Sequence, residues 1–107
     1  MEDCVFCNIA AHKLPASLVY EDEKFVAFND IEPKAPVHIL IIPRKHIASV
    51  DHLETADIAL AGELILVAQK VARSQNLKGY KLQINVGREG GQIVDHLHLH
   101  LLSGIAK

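Results

Sequence analysis

The sequence predicts an α+β fold, a mostly antiparallel sheet with one long helix against a face. Three features carry that prediction. Short β-branched apolar segments outnumber helical ones, turns connect them, and one long amphipathic run lies mid-chain.

From the N-terminus, "CVFCNIAAHKL" spaces Phe6, Ile9 and Ala10 for a short helix ending near Pro15. "SLVYEDEKFVAFND" predicts two short strands around a polar turn from Glu21 to Lys24. "VHILIIP" is nearly continuous in apolar residues from Val37 to Pro43 and reads as a central strand. "RKHIASVDHL" is a connection with room for one helical turn. The main helix runs from about Thr55 to Gln75, with Gly79 suited to its C-terminal cap region. Ile58, Leu60, Ala61, Leu64, Ile65, Val67, Ala68, Val71 and Ala72 fill about half of its wheel, where packing on one surface needs a stripe of only about 100°. The excess predicts a second subunit on the far side. "YKLQINV" and "HLHLHLL" are the last two strands, joined by the glycine-rich loop "GREGGQIVD".

The 107 residues fit a single domain, 1–107. Half are hydrophobic, high for so small a chain and consistent with self-association. The net charge is −2 and the basic residues are scattered, which argues against a nucleic-acid partner. "MEDCVFC" is no basic-then-apolar signal and no run approaches membrane-spanning length, so a cytoplasmic protein without a membrane partner is expected. Cys4 and Cys7 form C-x-x-C. No strand precedes them, as a thioredoxin-like motif would require, so metal is favoured over redox chemistry.

The strongest signal is "DHLHLHLL". Period-two alternation sends Leu97, Leu99 and Leu101 to one face and His96, His98 and His100 to the other. Three of the seven histidines in the chain lie here, where Lys, Thr or Glu would serve a merely solvated face. Two readings follow: ligands for a catalytic metal, or one nucleophilic imidazole oriented by its neighbours. The loop that leads into the strand, with Gly87, Gly90 and Gly91, can bring backbone N–H groups close to a phosphate.

"GGQIVDHLHLHLL" resembles the signature of the histidine triad superfamily. "FVAFNDIEPKAPVHILIIPRKHI" resembles its Hint branch, the nucleoside phosphoramidate hydrolases. The resemblance runs from Cys4 to Gly104. It implies a five-stranded antiparallel sheet with one long and one short helix, paired into a ten-stranded homodimer. It also implies that His98 attacks the α-phosphorus of a purine nucleoside 5′-phosphoramidate, forming a nucleotidyl-histidine, with His100 and His38 around the reacting phosphate. By the same resemblance Asn85, Gly91 and Gln92 contact phosphate, and Asp30 accepts from both ribose hydroxyls. Phe6, Ile9, Leu14, Phe28, Asn29 and Ile31 match the base pocket of a purine nucleotide such as AMP or GMP. Some members carry C-x-x-C near the start and bind structural zinc with two histidines, which match His46 and His96 beside Cys4 and Cys7. None of the chemistry requires a metal. His12 and His52 are expected to be solvent-exposed bystanders.

Ile93 stands in the nucleotide-binding set where many members have a serine or threonine hydroxyl. Asp95 stands where an aromatic residue is common, and relatives often continue beyond "LLSG" with a tail reaching the partner's site. Lower activity or a different preferred leaving group is therefore expected. The rival readings are a dinucleoside polyphosphate hydrolase of the same superfamily, a nucleotide- or partner-binding module with weak turnover, and a zinc enzyme with its metal among the triad histidines.

Overall fold

A computed structural model describes residues 3–104. Its order is α1 (Val5–Ala10), β1 (Leu18–Glu21), β2 (Phe25–Asn29), β3 (Val37–Pro43), α2 (Ile58–Ser74), β4 (Lys81–Gln83) and β5 (Leu99–Ser103). The five strands form one sheet in the order β1-β2-β3-β5-β4, every neighbouring pair antiparallel. This is the α+β architecture that the sequence predicts.

The sheet has two differently covered faces. Phe25, Ala27, Ile39, Ile41, Leu99 and Leu101 point to one face and pack under α2, against Leu64, Val67, Ala68, Val71 and Ala72. Val26, Phe28, Leu40 and Ile42 point to the other, where α1 brings Phe6, Ile9 and Ala10. A six-residue helix covers only part of a sheet face. The rest of that face carries the polar residues of β3, β4 and β5. Register aligns them in rows: Lys81, Leu102 and His38 in one, Gln83, His100 and Leu40 in the next.

Four boundaries differ from the sequence expectation. The histidine strand enters the ladder only at Leu99, because its partner β3 ends at Pro43 and Ile41–Leu99 is the last pair. His96 and His98 lie on chain that approaches the sheet, tied by Leu97 N–H to the Ile47 carbonyl at 2.6 Å. β4 is confined to Lys81–Gln83, and Gln83–His100 is its last ladder pair. Gly79 does not cap α2. Asn76 takes the left-handed conformation at φ 58°. Leu77 N–H reaches the Ala72 carbonyl at 3.0 Å and Asn76 N–H the Arg73 carbonyl at 3.1 Å, a Schellman ending that asparagine tolerates. The start of α2 is a 3-10 turn, Thr55–Asp57, where Asp57 accepts from Glu54 N–H at 2.9 Å and from Lys45 at 2.7 Å.

The wide apolar arc of α2 is only half covered. Ile58, Ile65 and Leu66 remain 70, 45 and 56% exposed, and β4 is a free sheet edge. Among the described residues no helix is long and apolar enough to cross a membrane.

Truncating the α2-side core at the centre of the sheet tests this packing. Leu101, fully buried, should cost about 2–5 kcal/mol as Leu101→Ala, read as a lower urea midpoint at unchanged slope. A loss under about 0.5 kcal/mol, the scale of an exposed site, would contradict the burial.

Candidate active site

A cleft of about 450 Å³ opens on the uncovered part of the α1-side face. Asp30, His38, His98, His100, Asn85 and Gly91 line it, with Phe6 in its wall. The pairing of β3 with β5 brings His38, more than sixty positions away in sequence, beside the triad: His38 Nε2 lies 2.9 Å from His100 Nδ1.

The carbonyl of His96 decides the state of His98. His98 Nδ1 lies 2.7 Å from it, and a carbonyl only accepts, so Nδ1 carries the proton and Nε2 keeps its lone pair. Phe6 packs edge-on against the ring at a centroid distance of 5.1 Å, which holds its orientation. Burial lowers the pKa of His98, against the raising effects of the His96 carbonyl and the Asp30 charge. Burial also lowers His38. His100 falls to about 4, through burial and then the neighbouring His98 and His38. All three are therefore neutral at pH 7, as a nucleophile and its uncharged hydrogen-bonding partners must be.

His96 faces away from the cleft. Its Nε2 donates to the Pro43 carbonyl at 2.8 Å, which leaves the Nδ1 lone pair 3.4 Å from Cys4 Sγ and 3.5 Å from Cys7 Sγ. His46 Nδ1 is 3.2 Å from Cys7 Sγ. One ligand atom from each of these four residues lies within 4.8 Å of all the others. Sulfur and nitrogen ligands of tetrahedral zinc stand about 3.5 Å apart, given Zn–S near 2.3 Å and Zn–N near 2.0 Å. The donor set thus fits a closed structural site, with the Pro43 carbonyl as the outer partner that orients His96. Burial and then Cys4 push the Cys7 thiol up to about 11, a cost that a bound cation would reverse.

A second hollow of about 410 Å³ lies between the β1–β2 turn and α2. Lys24 and Glu63 pair across it at 3.4 Å, and it contains no histidine or cysteine.

Comparison with known proteins agrees with this geometry. A family model described as "Scavenger mRNA decapping enzyme C-term binding" matches residues 3–106. Protein HitA of Neisseria gonorrhoeae is 44% identical over 103 residues, covering 95% of this chain and 96% of that one. A HIT family hydrolase from Legionella pneumophila superposes with a TM-score of 0.94 at 45% identity, covering 97% of this chain and 95% of the other. A histidine triad protein from Clostridium difficile gives 0.96 at 38% identity, covering 100 and 95%. The chain belongs to the histidine triad family.

Within this histidine triad domain the residues singled out from sequence fall into distinct places. Asp30 reaches the cleft, accepting from Glu32 N–H at 2.9 Å through Oδ1 while Oδ2 lies 3.4 Å from His38 Nε2. Asn85 donates to the Gly90 carbonyl at 2.7 Å. Gly91, at φ 88°, sits so close that a Cβ would meet Asn85 Nδ2 at 3.2 Å. Gln92 does not face the cleft with a free amide. Its Oε1 accepts from Gly87 N–H at 2.9 Å and its Nε2 donates to the carbonyls of Ala48 and Val94 at 2.7 and 2.9 Å. It holds the loop in shape. Ile93 lines the cleft mouth, 83% exposed.

The expected base-pocket residues are only partly gathered. Phe28 lies behind Phe6 at a centroid distance of 5.5 Å, in the α1-side core with Ile9. Ile9 and Leu14 line a separate hollow. Asn29 donates to Ser17 Oγ at 2.9 Å, and Ile31 is 94% exposed outside the cleft lining. His12 and His52 are exposed, His12 paired with Glu21 and His52 with Ser49. Sequence reasoning missed Lys34, Lys81 and Gln83, all of which line the cleft. The alternation in "YKLQINV" was the available signal, since it puts Lys81 and Gln83 on one face.

The three depressed histidines predict acid sensitivity. Between the ordinary value of 6.5 and their lowered folded values, the unfolded chain binds more protons than the folded one. Stability should be complete above pH 6.5 and fall as pH drops toward 4, the value reached by His100. Urea midpoints from pH 8 to 4.5 check this, and His100→Asn should flatten the decline.

Proposed function

We propose that this domain hydrolyses purine nucleoside 5′-phosphoramidates through a nucleotidyl-histidine intermediate on His98. The hydrolase designation of its relative from Legionella pneumophila supports the general class. The observation that carries the reading is the bond from His98 Nδ1 to the His96 carbonyl, which leaves a neutral Nε2 lone pair in the cleft.

His98 Nε2 attacks the α-phosphorus and a P–N bond forms. The bond to the leaving nitrogen breaks with its electron pair, and that nitrogen takes up a proton to depart as an amine. The phosphoimidazolium keeps its Nδ1–H on the His96 carbonyl. Water then attacks phosphorus, His98 leaves as neutral imidazole, and the proton lost by water replaces the one given to the amine. Asn85 and Gly91 line the same cleft as His98, where N–H donors would stabilise charge developing on the phosphoryl oxygens. Asp30 has the paired oxygens that suit a vicinal diol, and Phe6 would form part of the apolar wall beside the base. Lys34 and Lys81 in the same cleft favour a second substrate class, dinucleoside polyphosphates, whose leaving group is anionic.

Zinc at Cys4, Cys7, His46 and His96 would tie the N-terminal segment, with Phe6, to the segment that bears His98 and leads into β5. It would be structural, and no step of the reaction passes through it. We further propose a homodimer through the exposed apolar arc of α2 and the free edge of β4, which would bury Ile58, Ile65 and Leu66 and pair the open strand edge.

Turnover of adenosine phosphoramidate is the direct test. His98→Asn should lose at least about 10³-fold in activity, the scale seen when a nucleophile is removed, while still binding AMP. Acid-quenched turnover should trap a nucleotidyl adduct on His98 of the unaltered chain. Normal turnover by the variant, or an adduct on His96 or His100, would refute the assignment. Elemental analysis should give about one zinc per chain, abolished in Cys4→Ala/Cys7→Ala with a lower Tm and unchanged in His98→Asn. Protein that takes up no zinc under reducing conditions would remove the metal site.

A further inference from the structure

Asp30, His38 and His100 place one ligand atom each within 4.8 Å of the others, a second grouping with metal-like spacing. One hydrogen bond argues for a different use. The backbone N–H of Lys34 lies 3.0 Å from His38 Nδ1. A peptide N–H can only donate, so Nδ1 must accept and the proton of neutral His38 resides on Nε2. That nitrogen faces two groups, His100 Nδ1 at 2.9 Å and Asp30 Oδ2 at 3.4 Å. Both accept from it without conflict. With Nδ1 accepting, His100 holds its own proton on Nε2. A metal would need a lone pair on His38 Nε2, where this tautomer has a hydrogen.

We propose that the backbone amide of Lys34 is a positioning group for the cleft: it sets His38 as the Nε2–H tautomer, and through it obliges His100 to present Nε2–H to the substrate phosphate. The direction of the whole chain of hydrogen bonds follows from one donor that cannot reverse. The segment that delivers it is well tied. Asp30 N–H donates to the His38 carbonyl at 2.9 Å, Asp30 Oδ1 holds Glu32 N–H, and Pro33 and Pro36 restrict the backbone on either side of Lys34. The lowered pKa values of His38 and His100 agree with two neutral rings sharing one proton between them. The side chain of Lys34 plays no part in this role.

Only the step from His100 to the phosphate rests on the proposed hydrolysis; the tautomers do not. A long-range ¹H–¹⁵N spectrum of the unaltered protein decides them first. His38 should show an unprotonated Nδ1 and a protonated Nε2, and His100 likewise. A protonated His38 Nδ1 overturns the proposal. Lys34→Pro deletes the donor, whereas Lys34→Ala keeps it and removes only the side chain. The alanine variant should retain the His38 tautomer. The proline variant should lose it, with kcat lower than in the alanine variant by about 10²-fold, the lower end of what a positioned acid or base contributes, and KM little changed. A proline variant with the tautomer intact, or with kcat equal to that of the alanine variant, also overturns it. If Lys34→Pro does not fold, the spectrum of the unaltered protein still gives the answer. Absence of phosphoramidate turnover by a protein with the stated tautomers would instead count against the hydrolase reading alone.

Discussion

Two carbonyl oxygens, those of Pro43 and His96, determine what the histidine segment can do. Each accepts from one imidazole, and each acceptance leaves the opposite ring nitrogen with its lone pair. The Pro43 carbonyl turns His96 Nδ1 toward the cysteines. The His96 carbonyl turns His98 Nε2 toward the cleft. Identical side chains two positions apart thus acquire different chemistry from backbone groups alone. Pro43 is available for this because β3 ends there, so its carbonyl is met by a side chain rather than by another strand.

The glycine-rich loop depends on a comparable internal closure. Gln92 is 2% exposed and its amide bridges Gly87, Ala48 and Val94. Arg88 adds a clamp, bidentate to Asp95 at 2.8 and 3.0 Å and donating to the Gln92 carbonyl at 2.7 Å. Asp95 occupies a position where an aromatic residue is common in resembling proteins, and its partner Arg88 accounts for it. The pair is exposed, so its energetic weight is small. Its geometric effect is to bracket the loop at both ends. Gly91 can then approach Asn85 at a distance that a larger residue would disturb.

The cysteine–histidine cluster and the cleft are adjacent because they share the segment that leads into β5 and the helix α1. His96 and His98 are two residues apart, and Phe6, between Cys4 and Cys7, contacts both rings at centroid distances of 6.0 and 5.1 Å. A bound ion would restrain the same helix whose phenylalanine packs on the nucleophile. The coupling is mechanical, through packed rings, and requires no charge to pass between the sites.

Much of this was legible in the chain itself. Periodicity of two separates Leu97, Leu99 and Leu101 from the histidines whatever surrounds them, and all three leucines are buried under α2. The mid-chain helix, the antiparallel strands and the short N-terminal helix follow from local pattern in the same way. What sequence could not supply was the relation between distant segments. His38 meets His100 only because β3 pairs with β5, and Lys81 and Gln83 join the cleft only because β4 pairs with β5. The base-pocket residues that resemblance assigned are divided between core, cleft and surface by how far a helix of six residues can cover a sheet. The protonated nitrogen of each imidazole was equally out of reach, for a histidine carries two and the choice belongs to whichever backbone group lies opposite. Local sequence determines which face a side chain occupies; only the folded chain decides what it faces there.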